Sequence, residues 1–329
     1  MPEPLRMILN TFFSGPQAWF FLAADRGYFA EAGLEVSFTE GDTLANAVPK
    51  VASGAFDVGY GDLNALIEHA GRNPATAPVA VFVMHNWSPY TIAVAADGPV
   101  ETVRDLAGRH VLSHPGDAAL RMFPEFARRT GLEPARVQID IDAAHHRDLV
   151  PRVLAGDGPA GLFGFVNTIA SAAIEAGVDP ARLRHFEWRR YVPELCGAAI
   201  IVGRDRVRRD PAAVAAFVAA VNRGLHDTVA DLDAAIDSVA RRNPAIDRAA
   251  NRARLAGTLA MEMSHPDGAR LGIGDLDDER LRRAIALIAE VKQLPSVPAA
   301  SAVFDRACLP PASQLMRSLA RPFPAHPAD

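Results

Sequence analysis

Cysteine is nearly absent from this chain. Only Cys196 and Cys308 occur in 329 residues. That is too few for a disulfide framework, and the spacing matches no metal signature; the two pair only if the fold brings them together. A basic stripe is also missing. Lysine and arginine total 34 against 39 aspartates and glutamates, a net charge of −5, so nucleic acid is not an expected partner. No apolar run reaches the roughly 18 residues that a membrane helix needs. The opening MPEPLRMILN has neither a long apolar stretch nor a small-residue cleavage site, so no secretory signal is read there. The expectation is therefore either a cytoplasmic protein or a mature form with a start Met added. Internal repeats and low-complexity tracts are absent too.

What remains is ordinary for a globular protein: 49% hydrophobic and 22% charged residues. The length exceeds what one ordinary core fills and suggests two lobes. The stretch from Phe12 to Leu34 sets the pattern. An apolar run, Leu5–Leu9, leads into Ser14-Gly15-Pro16; a helical run to Asp25 comes next, and a second strand-like run starts at Leu34. Ligands of open α/β sheets sit outside such strand ends. Ser14 offers a small hydroxyl and Gly15 a close backbone approach. Phe12, Phe13 and Trp19 read equally as core or as wall, whereas Phe20, Phe21 and Phe29 read as core.

Strand-like runs continue at Leu34–Phe38, Phe56–Tyr60 and Val79–Met84, with helical runs at Pro16–Asp25, Leu44–Ser53 and Asp62–Ala70. This βαβα order predicts a mostly parallel sheet flanked by helices. Asp42 or Thr43 is expected to cap the helix after the second strand, and Asp62 the one after the third. His85-Asn86-Trp87 comes after the fourth. A second α/β set spans about 100–190: a short helix at 103–106, strands His110–Ser113, Val137–Ile141 and Gly161–Val166, and helices Ala118–Thr130, Arg147–Leu154 and Thr168–Ala176. Gly131 is expected to end its helix in a left-handed conformation. Beyond Gly197–Val202 the chain reads as helical at Pro211–Leu232, Ala234–Arg241, Asp247–Met263 and Asp277–Leu294.

The segment GPQAWFFLAADRGYFAEAGLEVSF resembles the opening of periplasmic substrate-binding proteins of the nitrate, sulfonate, taurine and thiamine-pyrimidine-precursor group. GDTLANAVPKVASGAFDVGYGD, ETVRDLAGRHVLSHPGD and VRRDPAAVAAFVAAVNRGL resemble three further stretches of that group, in order, so the likeness runs from about 5 to 310. The resemblance implies a type II periplasmic-binding-protein-like α/β fold. It has two lobes, each a mostly parallel sheet flanked by helices, with a ligand cleft between them. Lobe one would be 1–95 and 196–310, lobe two 96–195, and 311–329 a loose tail. Thr91–Ala96 and Cys196–Ile200 would be hinge strands that close on the ligand.

The implied function is the substrate-binding component of an ABC importer, a monomer working with a membrane permease, without cofactor, metal or catalytic residues. Expected ligand contacts are Phe12, Phe13, Ser14, Gly15, Gln17, Asp42, Thr43, Tyr60, Gly61, Asp62, His85, Asn86 and Trp87 from lobe one. Lobe two would add His114, Gly116, Asp117, Phe165, Asn167, Trp188 and Tyr191. Many aromatics and few basic groups, Arg147 and the histidines His85, His114, His145 and His146, favour a pyrimidine or another flat aromatic molecule. A sulfonate or other organic anion is the alternative. His85 reads equally as a satisfied loop histidine, and His145-His146 more readily as a solvent-exposed pair. Enzymes that share the resemblance include a pyrimidine synthase and a sulfinate-releasing hydrolase. The first has a cysteine-rich cluster that this chain lacks, and the second a nucleophilic cysteine where this chain has Ser14. Strand-end position alone predicts that Trp87→Ala and Tyr60→Ala each weaken ligand binding in a titration while leaving the protein folded.

Overall fold

A computed structural model describes residues 2–43 and 45–317. Most of the expected tail, from 318 onward, lies outside the described residues, as does Leu44. The chain divides into two compact units. Of the described residues, the first comprises 2–43, 45–87, 196–246 and 255–317, and the second 88–195 and 247–254.

The first unit holds strands β1 (Glu3–Ile8), β2 (Leu34–Thr39), β3 (Val58–Asp62) and β4 (Val79–Val83). The second holds β5 (Tyr90–Ala95), β6 (His110–Ser113), β7 (Gln138–Ile141), β8 (Gly161–Phe165) and β9 (Leu183–Glu187). Strand β10 (Ala198–Val202) returns to the first. The two sheets run β2-β1-β3-β10-β4 and β7-β6-β8-β5-β9. In the first sheet β1 pairs in parallel with two neighbours, as β6 does in the second, while one inserted strand, β10 or β5, is antiparallel to both of its neighbours. Each sheet is thus mixed, five strands with one reversed. With the inserted strand set aside and the rest numbered within their own unit, each sheet reads second, first, third, inserted, fourth. The topology repeats although the sequence does not.

The helices are α1 (Ala18–Asp25), α2 (Tyr28–Glu31), α3 (Ala47–Ala52), α4 (Leu63–Arg72), α5 (Ala118–Thr130), α6 (His146–Leu154) and α7 (Val166–Glu175). After β10 come α8 (Arg204–Arg209), α9 (Pro211–Ala230), α10 (Leu232–Arg242), α11 (Arg248–Gly257), α12 (Pro266–Leu271), α13 (Asp278–Val291) and α14 (Ala300–Val303). The run expected as one helix over Asp247–Met263 changes register: α11 passes into a π-turn at Thr258–Glu262. Strand β9 and helices α2, α8, α12 and α14 are additions to the elements expected from the sequence.

Local chemistry explains the ends. Asp62 caps α4 by accepting the Asn64 and Ala65 amides, at 2.7 and 2.9 Å. Gly131 closes α5 with φ of 69°, as the sequence requires. Helix α3 has Asn46 at its N-cap position instead of Asp42 or Thr43, although Thr43 Oγ1 accepts the Asn46 amide at 3.3 Å. Asp42 instead receives the Thr43 amide, the Asn46 side chain and Lys50. Helix α9 packs on α1 at Gly224, where a Cβ would stand 2.3 Å from the Trp19 carbonyl oxygen.

The core of the first unit gathers Trp19, Phe20, Phe21, Phe82 and Phe217, all fully buried. That of the second contains Leu112, Leu149, Val150, Leu162 and Ile169. Cys196 and Cys308 are both buried and form no disulfide, so they supply no cross-link.

One ion network ties α1 to α10. Asp25 accepts from Arg242 Nη2 at 2.8 Å and also from Ser238 and Arg241. Burial pushes its carboxyl upward, but bonds from Arg242, Ser238 and Arg241 outweigh that and hold it at about 2. Because the folded-state value lies below the ordinary 3.8, its stabilisation is full above about pH 4 and is lost as pH falls through 2. Asp25→Asn should therefore cost about 1–2 kcal/mol near neutrality, allowing for partial exposure. In urea melts, the gap to the parent should close between pH 4 and 2; a gap independent of pH would show the network to be inert.

Candidate functional site

Strands β3 and β4 of the first unit meet a π-turn in a buried polar chain. The Tyr60 hydroxyl at the end of β3 lies 2.8 Å from His85 Nε2, just past β4. His85 Nδ1 stands 3.2 Å from the Glu262 carboxylate in the π-turn. All three are almost wholly buried. The Glu262 carbonyl also accepts the Trp87 amide at 2.9 Å, so one π-turn residue grips the loop twice. π-Turns recur at functional places because the extra residue re-aims the side chains beyond it. Trp19 and Phe20 pack edge-on against Tyr60, with centroids 6.3 and 5.1 Å away.

Beside this chain, Asn86 Oδ1 accepts the His265 amide at 3.1 Å, and the Trp87 ring meets His265 at 4.2 Å. Burial, then the charge of Arg280, pulls the His265 imidazole down to about 3; it is neutral at physiological pH. Arg280 itself lies over Trp87, 5.3 Å from the ring centre.

These positions correct several expectations. Tyr60 is fully buried and bonded within the core, so it supports the loop instead of stacking on a ligand, and Tyr60→Ala should unfold the unit. Ser14 and Gln17 are fully buried too. The Ser14 hydroxyl and amide both donate to Gln17 Oε1 at 2.8 Å, and Gln17 Nε2 donates to Asn10 at 2.6 Å. Both side chains thus build their own turn, which removes the reading of Ser14 as a ligand donor. Gly15 is buried in the same turn. Asp62 is a buried helix cap and Gly61 is a buried strand residue. Asn86 and His85 are buried and serve the loop. Phe12 is 52% exposed. Phe13 is half-buried against Phe21 and Asp42 is exposed. Thr43 and Trp87 are half-buried.

In the second unit, the ends of β6, β7 and β8 carry a different chemistry. His114, after β6, stacks on His146 at the start of α6, with centroids 5.8 Å apart and planes 16° from parallel. His146 Nε2 is buried, with no hydrogen-bond partner among the described residues. Burial, then the positive fields of His114, Arg254 and His145, brings its imidazole down to about 4. Arg254, from α11, donates to Thr168 Oγ1 at 2.9 Å, in the first turn of α7. Phe165, the N-cap of α7, supplies no side-chain cap. A helix start without a side-chain cap, although its Val166 amide donates to the Pro89 carbonyl at 3.0 Å, an imidazole without a hydrogen-bond partner and a guanidinium together suit an anion.

Asn167, at the second position of α7, is buried. Gly116 is exposed, and Asp117, Phe165 and Tyr191 are half-buried. Trp188 is corrected: it is fully buried, stacked on Phe126 at 4.5 Å and edge-on to Tyr90 at 5.7 Å, so it is core. Arg147, counted among the few basic candidates, is exposed beside Asp148. Sequence reading missed Arg254, Glu262, His265 and Arg280. All four lie in the C-terminal helices, far along the chain from several of their partners. The π-turn has no sequence signal, although HPDG at 265–268 marks a capped helix start. Among the described residues, no group of three or more His, Cys, Asp or Glu side chains is arranged to hold a metal ion, and no helix is long and apolar enough to cross a membrane.

The geometry predicts that Glu262→Ala, which removes the acid partner of a buried imidazole, costs about 2–4 kcal/mol. Tyr60→Phe should cost about 1 kcal/mol. Urea unfolding of both variants checks this; a loss under about half a kcal/mol for Glu262→Ala would show that the pair does not hold the loop.

A family model described as NMT1/THI5 like matches residues 17–235. No curated protein matches the chain. Among solved structures it is similar to the periplasmic aliphatic sulphonate binding protein SsuA from Escherichia coli, with a TM-score of 0.68 and 16% identity over 94% of this chain and 99% of that one. The Candida albicans CA3427 gene product, described as having the generic periplasmic binding protein fold, gives 0.62 and 16% over 97% and 99%. A mutant of DSZB in complex with biphenyl-2-sulfinic acid gives 0.61 and 13% over 94% and 98%. At such identities the likeness concerns the fold: two α/β units of the periplasmic-binding-protein kind.

Proposed function

The chain belongs to the NMT1/THI5-like family, and from that premise we propose that it is the substrate-binding component of an ABC importer. It captures a small organic anion of the sulfonate type and hands it to a membrane permease from the periplasmic side. The observation that carries this reading is Arg254, brought to the first turn of α7 beside the stacked His114 and His146. The candidate cleft residues read from the sequence include few basic groups and so favour a flat heteroaromatic ligand. Folding supplies the missing guanidinium, while Tyr60 and Trp188, two of the expected stacking rings, go into the cores. A sulfonate has three equivalent acceptor oxygens, which matches a guanidinium fork, a helix N-terminus and an imidazole. The SsuA proteins similar in fold are described as binding sulfonates, which supports the same choice.

Ser14 speaks against an enzyme of the sulfinate-cleaving type. Its hydroxyl is buried and donates to Gln17 Oε1, a poor setting for a nucleophile.

Thermal melts with propane-1-sulfonate, pyrimidines and inorganic sulfate test the proposal. The sulfonate should raise the melting temperature, with stabilisation growing as RT ln(1 + [L]/Kd), and be recovered unchanged. Arg254→Gln should weaken it roughly 10- to 100-fold, about 1.4–2.7 kcal/mol. Because the His146 imidazole titrates near 4 without ligand, an anion beside it favours proton uptake, so affinity should strengthen from about pH 7 to about pH 5. A shift with a pyrimidine and none with sulfonates would refute the anion; consumption of the ligand would refute binding alone.

A further inference from the structure

We propose a second ligand site in the first unit: a cavity of about 580 Å3 beside β4 that takes a small zwitterion, a molecule carrying both an ammonium and a carboxylate. Its walls come from the start of α13, from α14 and from the segment just after it. Phe304 pairs in parallel with Ala80, and the Asp305 amide donates to the Ala80 carbonyl at 2.9 Å. The cavity therefore lies beside the first residues of β4, whereas the His85 loop follows the last. It shares no residue with the Tyr60–His85–Glu262 chain or with the anion seat of the second unit.

Four charged side chains line it, Asp278, Arg282, Asp305 and Arg306. Arg306 is committed: it donates Nε to Asp275 at 2.6 Å, Nη1 to Asp278 at 2.7 Å and Nη2 to the Leu276 carbonyl. Its guanidinium also stands 5.0 Å over the buried Phe304 ring. On α13, Glu279 and Arg283 pair at 2.6 Å, as a spacing of one turn favours. Asp278 and Arg282 have the same spacing, but Asp278 is turned to Arg306, and Arg282 has no partner among the described residues. Asp305 gives Oδ1 to the Ala307 amide at 2.9 Å and forms no ion pair among the described residues. A guanidinium and a carboxylate thus share one cavity without reaching each other. A ligand with the complementary pair completes both, its carboxylate on the Arg282 fork and its ammonium on Asp305. Ala300, Phe304 and Ala307 add apolar contact for a hydrocarbon part, and the volume suits a small-molecule site. A ligand with a single charge leaves one of the two groups without its partner.

The test is calorimetric titration of the full chain with L-leucine, with 4-methylpentanoate, which lacks the ammonium, and with 3-methylbutan-1-amine, which lacks the carboxylate. The parent should bind leucine at least about tenfold more tightly than either relative. Arg282→Gln should weaken leucine at least about tenfold. Asp305→Asn keeps an oxygen for the Ala307 amide and should bring leucine and 4-methylpentanoate to the same affinity. Arg282 is exposed and Asp305 half-buried, so both variants should fold, and an unchanged circular-dichroism melt checks this. No leucine binding by the parent overturns the site. Equal affinities for leucine and 4-methylpentanoate in the parent overturn the zwitterion. Leucine affinity untouched by both variants places it elsewhere and overturns the assignment as well.

Discussion

The constraint on which both units depend is the insertion of one reversed strand into an otherwise parallel sheet. In the first unit β10 enters between β3 and β4 and makes the hydrogen bonds that fix their ends. The amides of Met84 and His85 both donate to the Ala198 carbonyl, Gly197 donates back to His85, and Leu63 donates to Gly197. With its backbone so held, His85 presents one ring nitrogen to Tyr60 and the other to Glu262. In the second unit β5 sits in the equivalent place between β8 and β9. Its first residue, Tyr90, packs against Phe165 at the start of α7. The inserted strands therefore fix the strand ends from which each unit's polar cluster is built.

Arginine carries most of the remaining long-range ties. The chain has 32 arginines and only two lysines, Lys50 and Lys292. Arg204 reaches the carbonyls of Ala77 and Ala302, Arg184 those of Val100 and Ala96, and Arg6 pairs with Asp57 while touching the Gly54 carbonyl. A planar fork with five donors can hold two acceptors at once, which an ammonium on a flexible stem does less well. Exposed ion pairs contribute little each. Where the same guanidinium also satisfies a chain-end carbonyl, it fixes geometry, and that is the use made of it here.

Much of this fold was legible because its signals are local. Hydrophobic runs such as VAVFV at 79–83 are strands that bury every residue. Asp62 and Gly131 mark a helix start and a helix end by chemistry that neighbours cannot change. Strand β9, LRHFE, escaped because three of its five residues are charged or histidine, so neither alternation nor an apolar run announces it. The π-turn escaped because a one-residue register change leaves no periodic trace. Ligand contacts were the least legible. Strand-end position marks a neighbourhood, but burial separates support from contact within it, and burial is a tertiary property. Tyr60 and Trp188 looked like stacking surfaces for that reason, although both rings are packed inside the cores.

Net charge says little about a local site for a related reason. A chain at −5 states how the protein behaves in solution, not what one strand-end edge presents. Potential at a site is set by groups within a few ångströms, by helix ends and by how little water screens them. Here α11 delivers Arg254 to Thr168 across 86 positions of sequence, and two imidazoles stack beside it. A neutral His146 costs little to bury, whereas a second permanent cation would face both Arg254 and its own desolvation. On the proposed reading of this edge as an anion seat, protonation of His146 accompanies binding. Few basic groups are then needed, because those present are poorly screened and face the same place.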